Sequence, residues 1–458
     1  MVVVLIGPGL LPEHDNLSCF SFHTTSIRPT RRRTARDAGK KAFYGTHLLT
    51  TFGTEQAISS SRYHVPASRD RALPLPYSSA WHPARLPHVT HTGRNLTCGP
   101  TFPTRSGVAP VGRWRPRMPQ LPASDHTDGT RFFNPPAIRP DATPPGRMRR
   151  LSILKWQWNR PKSDWPAWIG NPPPKGDPHT RPAAGTVQVT FIGHSTFLIR
   201  LPRPDGTALS ILTDPIFSLR CSPFSFMGPR RVRAPGRALA DLPRIDVVLV
   251  SHAHYDHMDL PTLRALARRG DDPLVITPLC NARFMRRTGL RRIMELDWWQ
   301  SVAIPGLQVT CTPARHGAAR TPFDRNRSLW GGFMLRDGAG HRLFFAGDTA
   351  HGRHWGLIRE RLGAPDIALL PIGAYDPRAL MAGVHATPEE AVAGLRQLGA
   401  KHGIGMHFGT FRLTDEPMDE PVRRLARAVQ ESGLPPDTMG VMDHGECRDI
   451  AWRQPDDA

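Results

Sequence analysis

VVLVSHAHYDHMDL, residues 247–260, decides how this chain is read. It runs from a short β-branched stretch through a polar turn into a helix that Asp259 is placed to cap. At the strand's carboxyl end His252, His254, Asp256 and His257 emerge within six residues. A turn there lets alternating side chains diverge toward two neighbouring points. Imidazoles suit zinc or iron, and a carboxylate adds negative charge and suits harder ions. A surface turn explains any one of these histidines. It does not explain three of them with an aspartate in this spacing.

Six positions leave two metal ions short of ligands, so the rest of the chain is expected to supply more. Three candidates stand at the ends of strand-like runs: His316 after LQVTCTPAR, Asp348 closing RLFFAGD, and His407 after the apolar run GIGM. Similar runs at 187–193, 196–200, 208–214, 274–278 and 367–373 predict further strands. Helices are predicted over Leu260–Arg269, Asn281–Thr288, Gly352–Leu362, Pro388–Leu398 and Pro421–Ser432. The fourth is the best signed, with Thr387 as cap, Pro388 first and Glu390 completing a capping box. Strands come first and strand–helix alternation follows, which indicates an α/β layered domain over 186–458. No internal repeat is evident from the sequence.

The pattern HAHYDH, then a lone histidine, then GDT, then MH before FGT resembles the metallo-β-lactamase superfamily. Longer strings narrow it: FIGHSTFLI, LTDPIFSLRCSPFSFMGPRR, ELDWW, NRSLWGG and PIGAYDPR are similar to the N-acyl-phosphatidylethanolamine-hydrolysing phospholipase D branch. The resemblance covers roughly residues 125–450, including HGE at 444–446. It implies an αβ/βα sandwich, two mixed sheets flanked by helices, and a centre of two zinc ions, with iron or manganese as alternatives. His252, His254 and His316 would hold one ion, Asp256, His257 and His407 the other, and Asp348 would bridge them. The absence of a cysteine ligand sets the chain apart from the β-lactam-cleaving enzymes.

Two such ions can share a hydroxide at neutral pH and neutralise charge growing on a phosphoryl oxygen. The implied activity is a phosphodiesterase of the phospholipase D type, with a lactonase or general metal-dependent hydrolase as the alternative. Asp256 and His385 are the catalytic candidates, and His385 and Tyr375 the substrate-binding ones. His385 precedes a helix, where the family has a substrate-facing histidine; an exposed loop histidine is the plain reading. Tyr375 and Tyr255 have plain readings too, as packing beside a strand end and between the ligands.

Residues 1–120 are rich in Pro, Ser, Thr, Arg and His and lack periodicity, which predicts a disordered extension or a mis-assigned start. The formal charge is +21, but residues 1–117 carry 16 Lys+Arg against 5 Asp+Glu. The basic run Arg31-Arg32-Arg33 has no interleaved aromatics. A solvated tail accounts for the charge better than nucleic-acid binding does. Residues 121–185 form a Trp- and Pro-rich lead-in. Its Trp156, Trp158, Trp165 and Trp168, with Lys155, Arg160 and Lys162, suit either a lipid headgroup boundary or packing on the catalytic domain. The six cysteines show no close pairing, and no window reaches the ~18 apolar residues of a membrane span. A cytoplasmic enzyme is expected, with no signal peptide, a phospholipid or other phosphodiester substrate, room for peripheral membrane contact, and monomer or homodimer left open.

Overall fold

Apolar runs that turn sharply at their ends, as between Gly193 and Thr196, place consecutive strands side by side. A computed structural model describes residues 121–139, 155–156, 158–161 and 164–452. The expectations for the basic extension and for Lys162 fall outside those residues. The first sheet holds β1 (Thr186–Gly193), β2 (Thr196–Pro202), β3 (Ala208–Thr213), β4 (Val247–Leu249), β5 (Leu274–Pro278) and β6 (Ile293–Leu296). The second holds β7 (Ser301–Ile304), β8 (Leu307–Thr312), β9 (Gly332–Asp337), β10 (Arg342–Phe345), β11 (Ile367–Pro371), β12 (His402–Met406) and β13 (Met439–Gly440). The last strand, β14 (Cys447–Ala451), returns to pair with β1, giving the orders β14-β1-β2-β3-β4-β5-β6 and β13-β12-β11-β10-β9-β8-β7.

Each sheet, followed from β14 or from β7, has three antiparallel pairings and then three parallel ones. Val189, Phe197 and Val248 of the first sheet share one apolar cluster with Val309, Phe333 and Leu369 of the second. Helices flank the sheets: α1 (Leu260–Arg269), α2 (Ala282–Met285), α3 (His354–Leu362), α4 (Arg378–Met381), α5 (Pro388–Leu398) and α6 (Glu420–Glu431). They bury Leu263 and Leu266, Trp355 and Ile358, Leu395 and Leu398, and Leu425 and Val429 in the same cluster. This is an αβ/βα sandwich. The capping box of α5 forms in both directions, Glu390 N to Thr387 Oγ1 at 3.2 Å and Thr387 N to Glu390 Oε2 at 3.0 Å.

The strands that sequence reasoning did not find are β6, β7, β9, β13 and β14. Four of them are the edges of the two sheets. Edge strands are short and half exposed, so they lack the apolar run that marks a buried strand. The helix expected over 281–288 is a single turn, Ala282–Met285. The lead-in does not stand apart from the catalytic layers: Phe132 and Ile138 lie in the shared core. Asn134 reaches further, donating to His316 O at 2.9 Å and accepting from Trp330 Nε1 at 3.3 Å.

Candidate metal centre

β4 delivers Ser251 and His252 to the end of the sheet, and the chain then coils, with Met258 N bonding back to His254 O at 2.8 Å. That turn aims His252, His254 and His257 inward, all buried. Arg320 clamps the loop from outside, donating from Nη1 to Ala253 O and Met258 O at 2.9 Å each. Tyr255 lies under that guanidinium, 4.0 Å from it, and its hydroxyl donates to Arg320 O. Tyr255 thus braces the loop, the plain reading it received above. Asp259 sits at the start of α1 without capping it. Its carboxylate accepts from Ser218 N and Oγ and from the Thr262 hydroxyl instead, tying the loop after β3 to the helix.

The second sheet brings the remaining groups from three strand ends. His254 Nδ1 lies 2.8 Å from His252 Nε2 and 3.3 Å from His316 Nε2. Across from them, His257 Nε2 and His407 Nε2 each lie 3.3 Å from Asp256 Oδ2. Asp348 stands between the two groups. Its Oδ1 is 3.2 Å from His407 Nε2, and its Oδ2 is 3.1 Å from His257 Nε2, 3.7 Å from His316 Nε2 and 3.9 Å from His252 Nε2. Donor atoms around a tetrahedral ion with bonds of about 2.0–2.1 Å are spaced by roughly 3.3 Å, so these separations are those of a ligand set.

The outward nitrogens show which lone pairs face in. His257 Nδ1 bonds Asp214 Oδ2 at 2.6 Å, His316 Nδ1 bonds Val384 O at 2.7 Å, and His252 Nδ1 meets Ser251 Oγ at 2.9 Å. A proton held on each Nδ1 leaves each Nε2 as an inward lone pair, the tautomer a metal needs. His257 Nε2, His407 Nε2 and Asp348 Oδ1 are buried without a hydrogen-bond partner. Buried polar atoms are ordinarily satisfied, and a cation at each cluster would satisfy these. The residues therefore fit metal.

The electrostatics agree. Burial holds the imidazoles of His252 and His254 well below their ordinary range and that of His316 near about 4. For His257 burial is outweighed by Asp348, Asp256 and Asp214, which push it well up. For His407 it is outweighed by Asp348 and Asp256, which lift it to about 9. Three buried carboxylates thus demand positive charge, and cations can take the place of those protons.

Of the other candidates, His385 is brought in. Its Nδ1 is 3.9 Å from Asp348 Oδ2, and its ring lies 5.1 Å from that of His316 and 5.3 Å from that of His407. Tyr375 points elsewhere. It is buried, and its hydroxyl donates to Glu420 Oε1 of α6 at 2.7 Å. That bond commits its proton to α6. Sequence reasoning missed Asp214 and His194, which face His257 and Asp256 respectively. Both follow directly on a strand, in LTDP and IGHS, the same position that singled out His316 and Asp348.

Residues 210–408 match the family described as the beta-lactamase superfamily domain. The chain is 34% identical over 276 residues to the N-acyl-phosphatidylethanolamine-hydrolyzing phospholipase D 1 of Caenorhabditis elegans, covering 58% of this chain and 76% of that protein. The chain belongs to the metallo-β-lactamase superfamily. Within it, a UPF0173 metal-dependent hydrolase of Rubrobacter xylanophilus is 30% identical over 254 residues, 54% of this chain and 93% of the relative. An uncharacterized protein of Mycobacterium tuberculosis is 40% identical over 252 residues, 54% of this chain; the chain spans 65% of that protein's length. Among solved structures of the superfamily fold, the isothiocyanate hydrolase from Delia radicum gut bacteria aligns with a TM-score of 0.46 at 20% identity, covering 58% of this chain and 99% of the other.

Proposed function

We propose that this superfamily member is a two-metal phosphodiesterase acting on an N-acylated glycerophospholipid or a related diester. The observation that carries the two-ion reading is Asp348, whose two oxygens face both clusters at 3.1–3.9 Å. His252, His254 and His316 hold one zinc ion, and Asp256, His257 and His407 the other. Iron or manganese would fit the same donors. Bound, such ions supply a hydroxide nucleophile at neutral pH and Lewis acidity toward a phosphoryl oxygen. The chain's part is to fix the donors: Asp214 orients His257, Val384 O orients His316, and Arg320 holds the loop.

His385, buried beside Asp348 with Nδ1 unpartnered, is the group left to hydrogen-bond a substrate oxygen. Burial holds its imidazole well below its ordinary range, so it acts as a neutral donor or acceptor rather than a cation. The diester preference rests on the similarity to the nematode phospholipase D and to the mitochondrial N-acyl-phosphatidylethanolamine-hydrolyzing enzyme of Saccharomyces cerevisiae, 34% identical over 232 residues, 49% of this chain and 49% of that protein.

The tryptophans divide. Trp156 and Trp165 donate to Asp415 and to Glu416 O and so belong to the packing. Trp158 and Trp168 are exposed, as are Phe224 and Phe226, a composition suited to lipid headgroups. No helix of the described residues is long and apolar enough to cross a membrane.

The test is a zinc-loaded preparation offered N-acyl-phosphatidylethanolamine, an aryl phosphodiester and a lactone side by side. Release of N-acylethanolamine and phosphatidic acid ahead of lactone opening is the expected result. Lactone turnover alone would move the assignment to the lactonase reading.

A further inference from the structure

His194 follows β1 and belongs to none of the groups assigned above to metal or substrate. It is fully buried, and its Nε2 lies 3.0 Å from Asp256 Oδ2. That is the oxygen that His257 and His407 face at 3.3 Å. Its backbone stands at φ +58°, a left-handed conformation that side chains other than glycine rarely adopt. Strain of this kind persists only where the surroundings over-determine it, and here they do. His194 N donates to Thr410 Oγ1 at 3.0 Å, and His194 O accepts from His407 N at 2.9 Å. Its ring packs 4.1 Å from that of His407 and meets the edge of Phe411 at 5.3 Å. Gly193 before it, at φ +137°, leaves room for the His444 ring that a Cβ would meet at 3.0 Å.

The other ring nitrogen, Nδ1, is buried without a partner. A proton there would be stranded, whereas a proton on Nε2 is donated to a carboxylate. The fold supplies a second argument. Counted along the matching orders of the two sheets, β1 corresponds to β8 and β3 to β10. His194 and Asp214 after β1 and β3 are then the counterparts of His316 and Asp348 after β8 and β10. Asp214 already shows what the first-sheet member of such a pair does, since it grips His257 through Nδ1.

We propose that His194 is a positioning residue: by donating its Nε2–H it fixes the Asp256 carboxylate that the second metal site uses. The inference rests on the two-ion reading above. A ligand role is the rival, because the donor atoms of His194, Asp256, His257 and His407 all lie within 4.8 Å of one another. Geometry favours positioning: His194 Nε2 faces Asp256 Oδ2 alone, at 3.0 Å, whereas His257 and His407 each face both Asp256 and Asp348.

The full chain and two variants separate the cases. His194→Asn suits the left-handed backbone, but its amide stops at the level of Nδ1 and cannot reach Asp256. His194→Gln places an amide N–H at the level of Nε2. Each protein is stripped with chelator, then titrated with Zn²⁺ and with Co²⁺ against a chromophoric competitor, with thermal unfolding as the check on folding. If the asparagine variant does not fold, His194→Ala replaces it. The expected result is two ions in the parent, the first ion unchanged in His194→Asn, and the second weakened by about 10–100-fold. His194→Gln should return to within a few-fold of the parent. Unchanged second-ion affinity in His194→Asn overturns the proposal. So does a folded His194→Gln that loses the second ion as fully as His194→Asn, which would make the imidazole itself a ligand. A parent that binds one ion only defeats the two-ion reading, and this proposal with it.

Discussion

In the first sheet one loop, after β4, carries four of the converging groups: His252, His254, Asp256 and His257. In the second sheet the loops after β8, β10 and β12 carry one each, His316, Asp348 and His407. The pairing pattern is the same in both sheets. What differs is how the chain leaves the strand ends. A loop anchored by its own turn and by Arg320 can present several donors at once, whereas single donors depend on the sheet to bring their strands together. The first-sheet positions that match the single donors, His194 and Asp214, face the ligands rather than the space between them.

Breaking the shared point should have the largest effect. Asp348→Ala removes the carboxylate that both clusters face, and turnover is expected to fall on the order of 10³-fold or more, in line with the several kcal/mol a metal supplies to a transition state. Ion counting on the purified variant should show fewer than two per chain; two tightly held ions would show that each cluster holds its ion without the shared carboxylate.

Asp214→Asn asks whether the first sheet's supporting residue matters as much as the second sheet's ligand. It keeps the shape but weakens the grip on His257 Nδ1 and on Ser251, whose backbone N and hydroxyl bond Asp214 at 2.7 and 2.6 Å. Metal affinity should drop by about 10–100-fold, measured by competition with a chelator. Affinity equal to the parent's would leave Asp214 a core residue only.

A smaller effect concerns acid. Burial, with His351 and Arg315 nearby, pushes the His354 imidazole at the start of α3 down to about 3. The unfolded chain binds that proton below about 6.5 and the folded chain does not. Stability is therefore fully present above about 6.5 and is lost as pH falls from there toward 3, by up to about 1.4 kcal/mol per pH unit for one proton. Thermal unfolding of His354→Gln across this window should give a shallower acid limb; an identical limb would exclude His354 as a contributor.

The smallest change is expected from Tyr375→Phe. Losing the bond to Glu420 should lower stability by about 1 kcal/mol with KM unaltered. A raised KM with an unchanged unfolding midpoint would return Tyr375 to the substrate site.

The sandwich and the seven converging groups were legible because each donor follows a largely buried, apolar strand. Such strands announce themselves as continuous apolar runs, and HAHYDH follows the clearest of them. His194 and Asp214 were written in equally plain contexts. Their significance lies in which neighbour they face, and the sequence does not record side-chain contacts between loops 62 and 43 residues apart in number. Edge strands stayed hidden because water, not the core, selects one of their faces. The partner of Tyr375 was hidden for a related reason, since its hydroxyl donates to Glu420 of α6, an element distant along the chain.

β14 carries a consequence for how the molecule comes into being. Its register sets Thr186 opposite Ala451 and Thr190 opposite Cys447, while HGE just before it docks Gly445 N onto Phe191 O. As the chain leaves the ribosome, β1 through β6 and the HAHYDH loop emerge early, but the outer edge of their sheet has to wait for residues 447–451. The strand that leads into His194 thus gains its outer partner only after every other metal-facing residue has been made.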